Sequence, residues 1–174
     1  MVFLDRLYWL ALTVFVWLRH PKKVIYFIRR TRRLPDVVFP KTVNEKFLWR
    51  KLFDHDPRFV VLSDKLACKE WVTERVPELA VAKVHWVGKS LDFMPTGLLQ
   101  QDVVLKANHG CGTNLFLARE PLSEEELKNT VNGWLNYDHG KEHGEWAYSQ
   151  VDRQLFVEQT IHPVKGEALS ELKI

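Results

Sequence analysis

Apolar positions occur first as one unbroken run and later as short helical or alternating patterns. Residues 7–18 read Leu-Tyr-Trp-Leu-Ala-Leu-Thr-Val-Phe-Val-Trp-Leu, apolar on every side, which predicts a helix. Pro21 separates it from a second helix over residues 22–33, whose Val24, Ile25, Phe27 and Ile28 form a narrow apolar side, and Leu34-Pro35-Asp36 stops that helix. Thr42, with Glu45 three residues on, is a capping-box start for a third helix that places Phe47, Leu48, Lys51 and Leu52 at helical spacing. Residues 59–62 are a short apolar run, residues 64–75 look helical, and residues 81–87 have the β-branched character of a strand.

Farther on, residues 103–106 make a buried type of strand, Gly110 and Gly112 punctuate a loop, and residues 115–118 resume the apolar run, which together predict a hairpin. Ser123, followed by Glu124, Glu125 and Glu126, starts a helix that reaches Leu135, because acids in a first turn complement the helix dipole. Residues 136–145 are polar and contain glycines, which predicts a loop, and residues 154–161 predict a strand with one acid inside it.

Composition narrows the class. With 174 residues, 46% hydrophobic and 27% charged, the chain can bury an ordinary globular core. The two cysteines, Cys68 and Cys111, are too few for a disulfide scaffold and lack metal spacing, so a reducing cytoplasm is expected. No base stands beside Cys111 in the sequence, so it is not read as a catalytic thiol. His139 and His143 fall in the expected glycine loop, without the helix that a zinc pair requires, and no zinc site is expected.

Charge is unevenly placed. Residues 1–35 hold eight Lys or Arg against Asp5 alone, a net of +7, and the remaining 17 basic and 21 acidic residues sum to −4. A body with that balance gives no ground for a nucleic-acid partner. The apolar run of residues 7–18 is well short of the roughly 20 residues that span a bilayer. The basic block follows it, the reverse of a secretory signal. Trp9 and Trp17 near its ends, with flanking cations, suit a helix lying in the headgroups of an anionic leaflet, which would place residues 1–33 on the inner face of the cell membrane. A packing helix with a solvated basic tail accounts for the same residues.

The candidate chemistry centres on Lys106. A lysine at the end of an apolar strand, followed by glycines that let backbone N–H groups approach an anion, is what a phosphate site requires. Lys106 supplies the charge, the Gly110-Cys111-Gly112 turn supplies the donors, and His109 stands beside them. The histidine either contacts phosphate or fixes the loop by hydrogen bonding.

Three separated pieces sharpen this. Ser63-Asp-Lys-Leu-Ala-Cys-Lys-Glu-Trp-Val72, the Lys106 hairpin and Leu155-Phe-Val-Glu-Gln-Thr-Ile161 occur in an order and spacing that resemble the ATP-grasp superfamily. Within it, Pro40-Lys-Thr-Val-Asn-Glu-Lys-Phe-Leu-Trp49, Ser63-Asp-Lys65, Leu105-Lys-Ala-Asn-His-Gly110 and Glu145-Trp-Ala-Tyr148 resemble the TupA-like group of teichuronopeptide and polysaccharide biosynthesis. The likeness covers roughly residues 34–174. It implies an α+β fold: a partial ATP-grasp fold with an N-terminal helical arm, residues 1–33, and an antiparallel hairpin that covers the nucleotide. It also implies that ATP is held by Lys65, Lys106, His109, Gly110, Gly112 and Glu158, with Glu158 on the adenine and ribose. Simpler roles stand beside these: Lys65 and Lys69 as a solvated helix face, Asn44 and Glu45 as caps, and Glu158 as the partner of a neighbouring cation.

In that family ATP activates a carboxylate to an acyl phosphate that an amine or similar nucleophile attacks, and Mg²⁺ neutralises the developing charge. The family's magnesium ligands come from beyond the glutamate strand. Glu171-Leu-Lys-Ile174 looks like the start of the next family strand, so the expectation is a truncated, inactive nucleotide-gripping portion, with a cell-surface polysaccharide or its precursor as the acceptor of the complete enzyme. Truncation is also expected to leave the strand over residues 155–161 as an unpaired edge that lowers solubility. The alternatives are a glycosyltransferase-type protein of capsule or lipopolysaccharide assembly and a non-enzymatic membrane-surface module.

Overall fold

A computed structural model describes residues 2–163. The expected family strand start at residues 171–174 lies outside the described residues. The described residues divide into two compact units, one within residues 1–56 with 143–146 and one within residues 57–142 with 147–174. Residues 34–56 therefore fall in the same unit as the helical arm, which was expected to end at residue 33.

The first unit contains α1 (Val2–Arg19), α2 (Pro21–Thr31) and α3 (Val43–Phe53). Pro21 occupies the first turn of α2, where its missing N–H costs nothing. Arg32 ends α2 in the left-handed region at φ 57°, two residues short of the expected end. Phe27, Val37, Leu48 and Leu52 form the core, with Val16, Trp17 and Val38 packed against it. This core explains the domain boundary, because it draws on α1, α2, α3 and the segment between α2 and α3. Both tryptophans of α1 turn toward that segment. Trp17 Nε1 donates to the Pro35 carbonyl at 3.1 Å, and Trp9 stacks edge-on against Phe39 at 4.8 Å.

Glu45 secures the turn before α3. Thr42 and Glu45 form the expected capping box, and the carboxylate accepts backbone N–H groups from Asp36 at 3.0 Å, Lys41 at 3.0 Å and Thr42 at 2.8 Å. These bonds, the Thr42 N–H first, outweigh burial and hold its pKa down to about 2.

The second unit is mixed helix and sheet. It begins with α4 (Arg58–Ser63), formed where the sequence showed only an apolar run, and α5 (Lys65–Arg75). Strands β1 (Val84–Gly88), β2 (Val103–Ala107), β3 (Asn114–Phe116) and β4 (Leu155–Gln159) form one sheet in the order β1-β4-β2-β3, with antiparallel neighbours throughout. Helix α6 (Glu124–Asn136) starts at the Ser123 capping box, as its sequence requires. Residues 136–145 are not a plain loop, since one helical turn, α7 (His139–His143), forms within them, followed by α8 (Trp146–Gln150).

The sheet corrects one expectation directly. Strand β4 is not an unpaired edge; it is paired on both sides, with β1 and with β2. Its Leu155, Phe156 and Val157 are fully buried, so a short run that is apolar on both faces belongs in the interior of the sheet. Among the described residues the edges are β1 and β3. On one face Leu105, Ala107, Leu115, Leu155 and Val157 pack with Leu127 and Val131 of α6. Strand alternation puts Val104, Lys106, Phe156 and Glu158 on the other.

Because the folded pKa of Glu45 lies below its unfolded value, its contribution is present above the unfolded value and is lost as pH falls toward about 2. Glu45→Gln is expected to be about 1 kcal/mol less stable at neutral pH. Urea unfolding at a series of pH values should show the wild-type and variant midpoints converging below the ordinary carboxylate range.

Candidate anion site around Glu158

Glu158 is the buried charge of the sheet, 5% exposed. Its register partner is Val104, and Lys106 pairs with Phe156, so Lys106 and Glu158 are diagonal neighbours on one face. Lys106 Nζ donates to Glu158 Oε1 at 2.5 Å. The second cation comes from α5: Lys69 Nζ lies 2.8 Å from Oε2 and donates to the Ala82 carbonyl at 3.2 Å. Both carboxylate oxygens thus meet an ammonium group. Burial pushes the Glu158 pKa up, but the bonds and charges of Lys106 and Lys69 prevail and hold it below its ordinary value. The simpler reading of Glu158, as the partner of neighbouring cations, describes this geometry.

Lys65 stands one helical turn before Lys69. It is not a solvated side chain. Its Nζ donates to the carbonyls of Ala107 at 2.8 Å and Gly110 at 2.9 Å, with His109 O at 3.4 Å. Burial, then the charge of Lys106, lowers its pKa. The Lys65 backbone N–H donates to Asn108 O at 2.8 Å, and Asp64 caps the Leu66 and Ala67 amides at 2.9 and 3.3 Å. The start of α5 is thus spent on the protein itself.

The loop after β2 is held from several sides. Gly110 and Gly112 have φ of 75° and 72°, conformations that a side chain disfavours, and a Cβ on Gly110 would also come within 3.3 Å of His139 Cβ. The His109 ring is buried, and its Nε2 lies 3.1 Å from the Trp134 carbonyl. An oxygen acceptor there requires the proton on Nε2. Burial is the main cause lowering the His109 pKa, which favours the neutral ring. His109 therefore anchors the loop to α6.

Two contributors escaped sequence reasoning. Asn108 is fully buried; its Nδ2 donates to Asp152 O at 2.9 Å, and its Oδ1 accepts from the Gln154 N–H at 2.8 Å, riveting the loop to the approach of β4. No local pattern announces that role. The sequence offers Lys69 as part of a solvated helix face, although its spacing of four from Lys65 places both on one side of the helix.

The cluster brings together Lys65, Lys69 and Lys106 against one carboxylate, a formal excess of two positive charges. Lys106 is more open than Lys69, its side chain 29% exposed against 22%. Such a donor set fits an anion with several oxygens, such as phosphate. It does not fit magnesium, which takes oxygen ligands, and among the described residues no group of three or more His, Cys, Asp or Glu could hold a metal ion. His139 and His143 do share the turn α7, correcting the loop expected there, but they belong to no such group. The unit's apolar cavity of about 520 Å³, lined by Leu91, Met94, Leu115, Leu117 and Leu127 among others, includes none of these lysines.

Compared with protein-family models, curated proteins and solved structures, the chain finds no match in any of the three.

The Lys106–Glu158 pair is open to a double-mutant cycle. Lys106→Met leaves a buried carboxylate with one ammonium partner, and Glu158→Leu leaves two ammonium groups without it. Each single change is expected to destabilise by about 3 kcal/mol. The double variant should recover about 1–3 kcal/mol of the sum in urea unfolding; strict additivity would show that the pair is not coupled.

Proposed function

We propose that this chain binds the phosphate groups of a nucleotide, ATP by its resemblance to the ATP-grasp and TupA-like proteins, and is the nucleotide-gripping portion of a protein of cell-surface polysaccharide biosynthesis. One observation carries the proposal: Lys65 and Lys69 of α5, Lys106 of β2 and Glu158 of β4, from three separated segments, gather at one place beside the loop of Gly110 and Gly112. The mixed α and β architecture and the antiparallel β2–β3 hairpin are compatible with it.

The residues take distinct roles. Lys106 is the phosphate-directed cation, because its Glu158 contact can be exchanged for phosphate oxygens without breaking the fold's backbone bonds. Lys65 shapes the loop through its carbonyls, and Lys69 stays with Glu158 and keeps that buried carboxylate compensated when Lys106 turns to the ligand. Glu158 on β4 then stands beside the phosphate-directed lysine, where the resemblance places the adenine and ribose. In a complete enzyme of this family the gripped ATP would activate a carboxylate for attack by an amine or similar acceptor. No step of that reaction is assigned to residues of this chain.

Thermal unfolding with added ligands tests the proposal. ATP at about a hundred times its Kd should add about 2.7 kcal/mol of stability, about 5–10 °C in a chain of this size. Lys106→Gln should lose most of that shift while retaining the wild-type circular dichroism. Three results would overturn the reading: no shift with millimolar ATP, an undiminished shift in Lys106→Gln, or a shift produced by a nucleotide sugar and not by ATP.

A further inference from the structure

The helical unit carries a surface that nucleotide binding does not use. Leu7, Leu10, Val14 and Leu18 recur along α1 at spacings that put them on one helix face, and all are exposed, with Leu18 at 76% and neighbouring Phe15 at 63%. The opposite side of α1 is engaged, since Val16 packs against the core of the unit and Trp9 against Phe39. An uncovered row of large aliphatic and aromatic groups of this kind marks an interaction surface.

The next helix supplies charge. Val24 and Phe27 bury one side of α2, and the other carries exposed Lys22, Ile25, Tyr26, Arg29 and Arg30. The Arg30 guanidinium lies 5.5 Å from the Tyr26 ring centre, a cation held over an aromatic face. Exposed Arg19, Arg32 and Arg33 flank these.

We propose that the exposed faces of α1 and α2 bind the surface of an anionic lipid bilayer, with Leu7, Leu10, Val14, Phe15 and Leu18 entering the headgroup and acyl boundary and the α2 cations meeting lipid phosphates. Charge decides between the candidate occupants. A second copy would set one segment of net charge +7 against another, whereas an anionic leaflet attracts each cation near its surface. The helix lies along the bilayer, because no helix among the described residues is long and apolar enough to cross it. The structure also reassigns the groups that insert. Trp17, expected at the headgroups, spends its N–H on Pro35, and Trp9 stacks on Phe39, so the contact falls to the aliphatic row and Phe15.

Co-sedimentation of the full chain with phosphatidylcholine vesicles, with and without phosphatidylglycerol, tests this. The expected result is salt-sensitive binding to the anionic vesicles and little to the neutral ones, with a loss of about fivefold in partitioning for each cation removed. Leu18→Asp and the double change Arg29→Glu, Arg30→Glu alter exposed positions and should each abolish most of the binding with an unchanged far-ultraviolet spectrum. The proposal is overturned by equal binding to both vesicle types, by binding to neither, or by a lipid-free dimer that Leu18→Asp dissociates, which would assign the face to a second copy.

Discussion

Glu158 is a buried carboxylate in an interior strand of the sheet, and much of the second unit is arranged around keeping it charged. Burying such a group costs several kcal/mol unless opposite charge and hydrogen bonds replace water. Lys106 and Lys69 supply that replacement from β2 and α5. The requirement also specifies register. A one-residue slip of β4 would turn Glu158 toward the apolar face built by Leu105, Leu155 and Val157 with α6, where no lysine stands in the observed core.

The two units satisfy a buried acid in contrasting ways. Glu45 is satisfied by three backbone amides of the turn before α3, all within nine residues of it, so its charge serves local folding. Glu158 is satisfied by side-chain cations from 52 and 89 positions earlier in the chain (158 − 106 and 158 − 69). Side-chain ammonium groups can exchange partners, and backbone amides inside a cap cannot do so without unwinding it. That difference makes Glu158 the better centre for ligand chemistry and Glu45 the better clamp. Lys65 belongs with the clamps, because carbonyls of the glycine loop take up its ammonium.

Much of the local structure was legible in the residues. The Thr42–Glu45 box starts α3 and the Ser123 cap starts α6 where the sequence places them, since a cap is decided by atoms within three residues. Alternation and apolar runs located the strands to within a few residues. The lysine, glycine and glutamate candidates were also visible, and the fold brings Lys65, Lys106 and Glu158 together. Less legible were α4 and α7, six and five residues long, because so short a helix has little propensity of its own and forms under tertiary contact.

What local pattern settles here is which segments are helices, which are strands, where helices begin, and which charges lie inside apolar runs. It leaves open which strands pair, and so the expected free edge at residues 155–161 became a strand paired on both sides. It leaves open which way a side chain turns, and so Trp17 and His109 bond to carbonyls of the protein. Pairing and orientation depend on groups brought close by the fold from distant parts of the chain. Sequence spacing carries information over one or two helical turns, whereas a buried charge must find its partner wherever the fold delivers one.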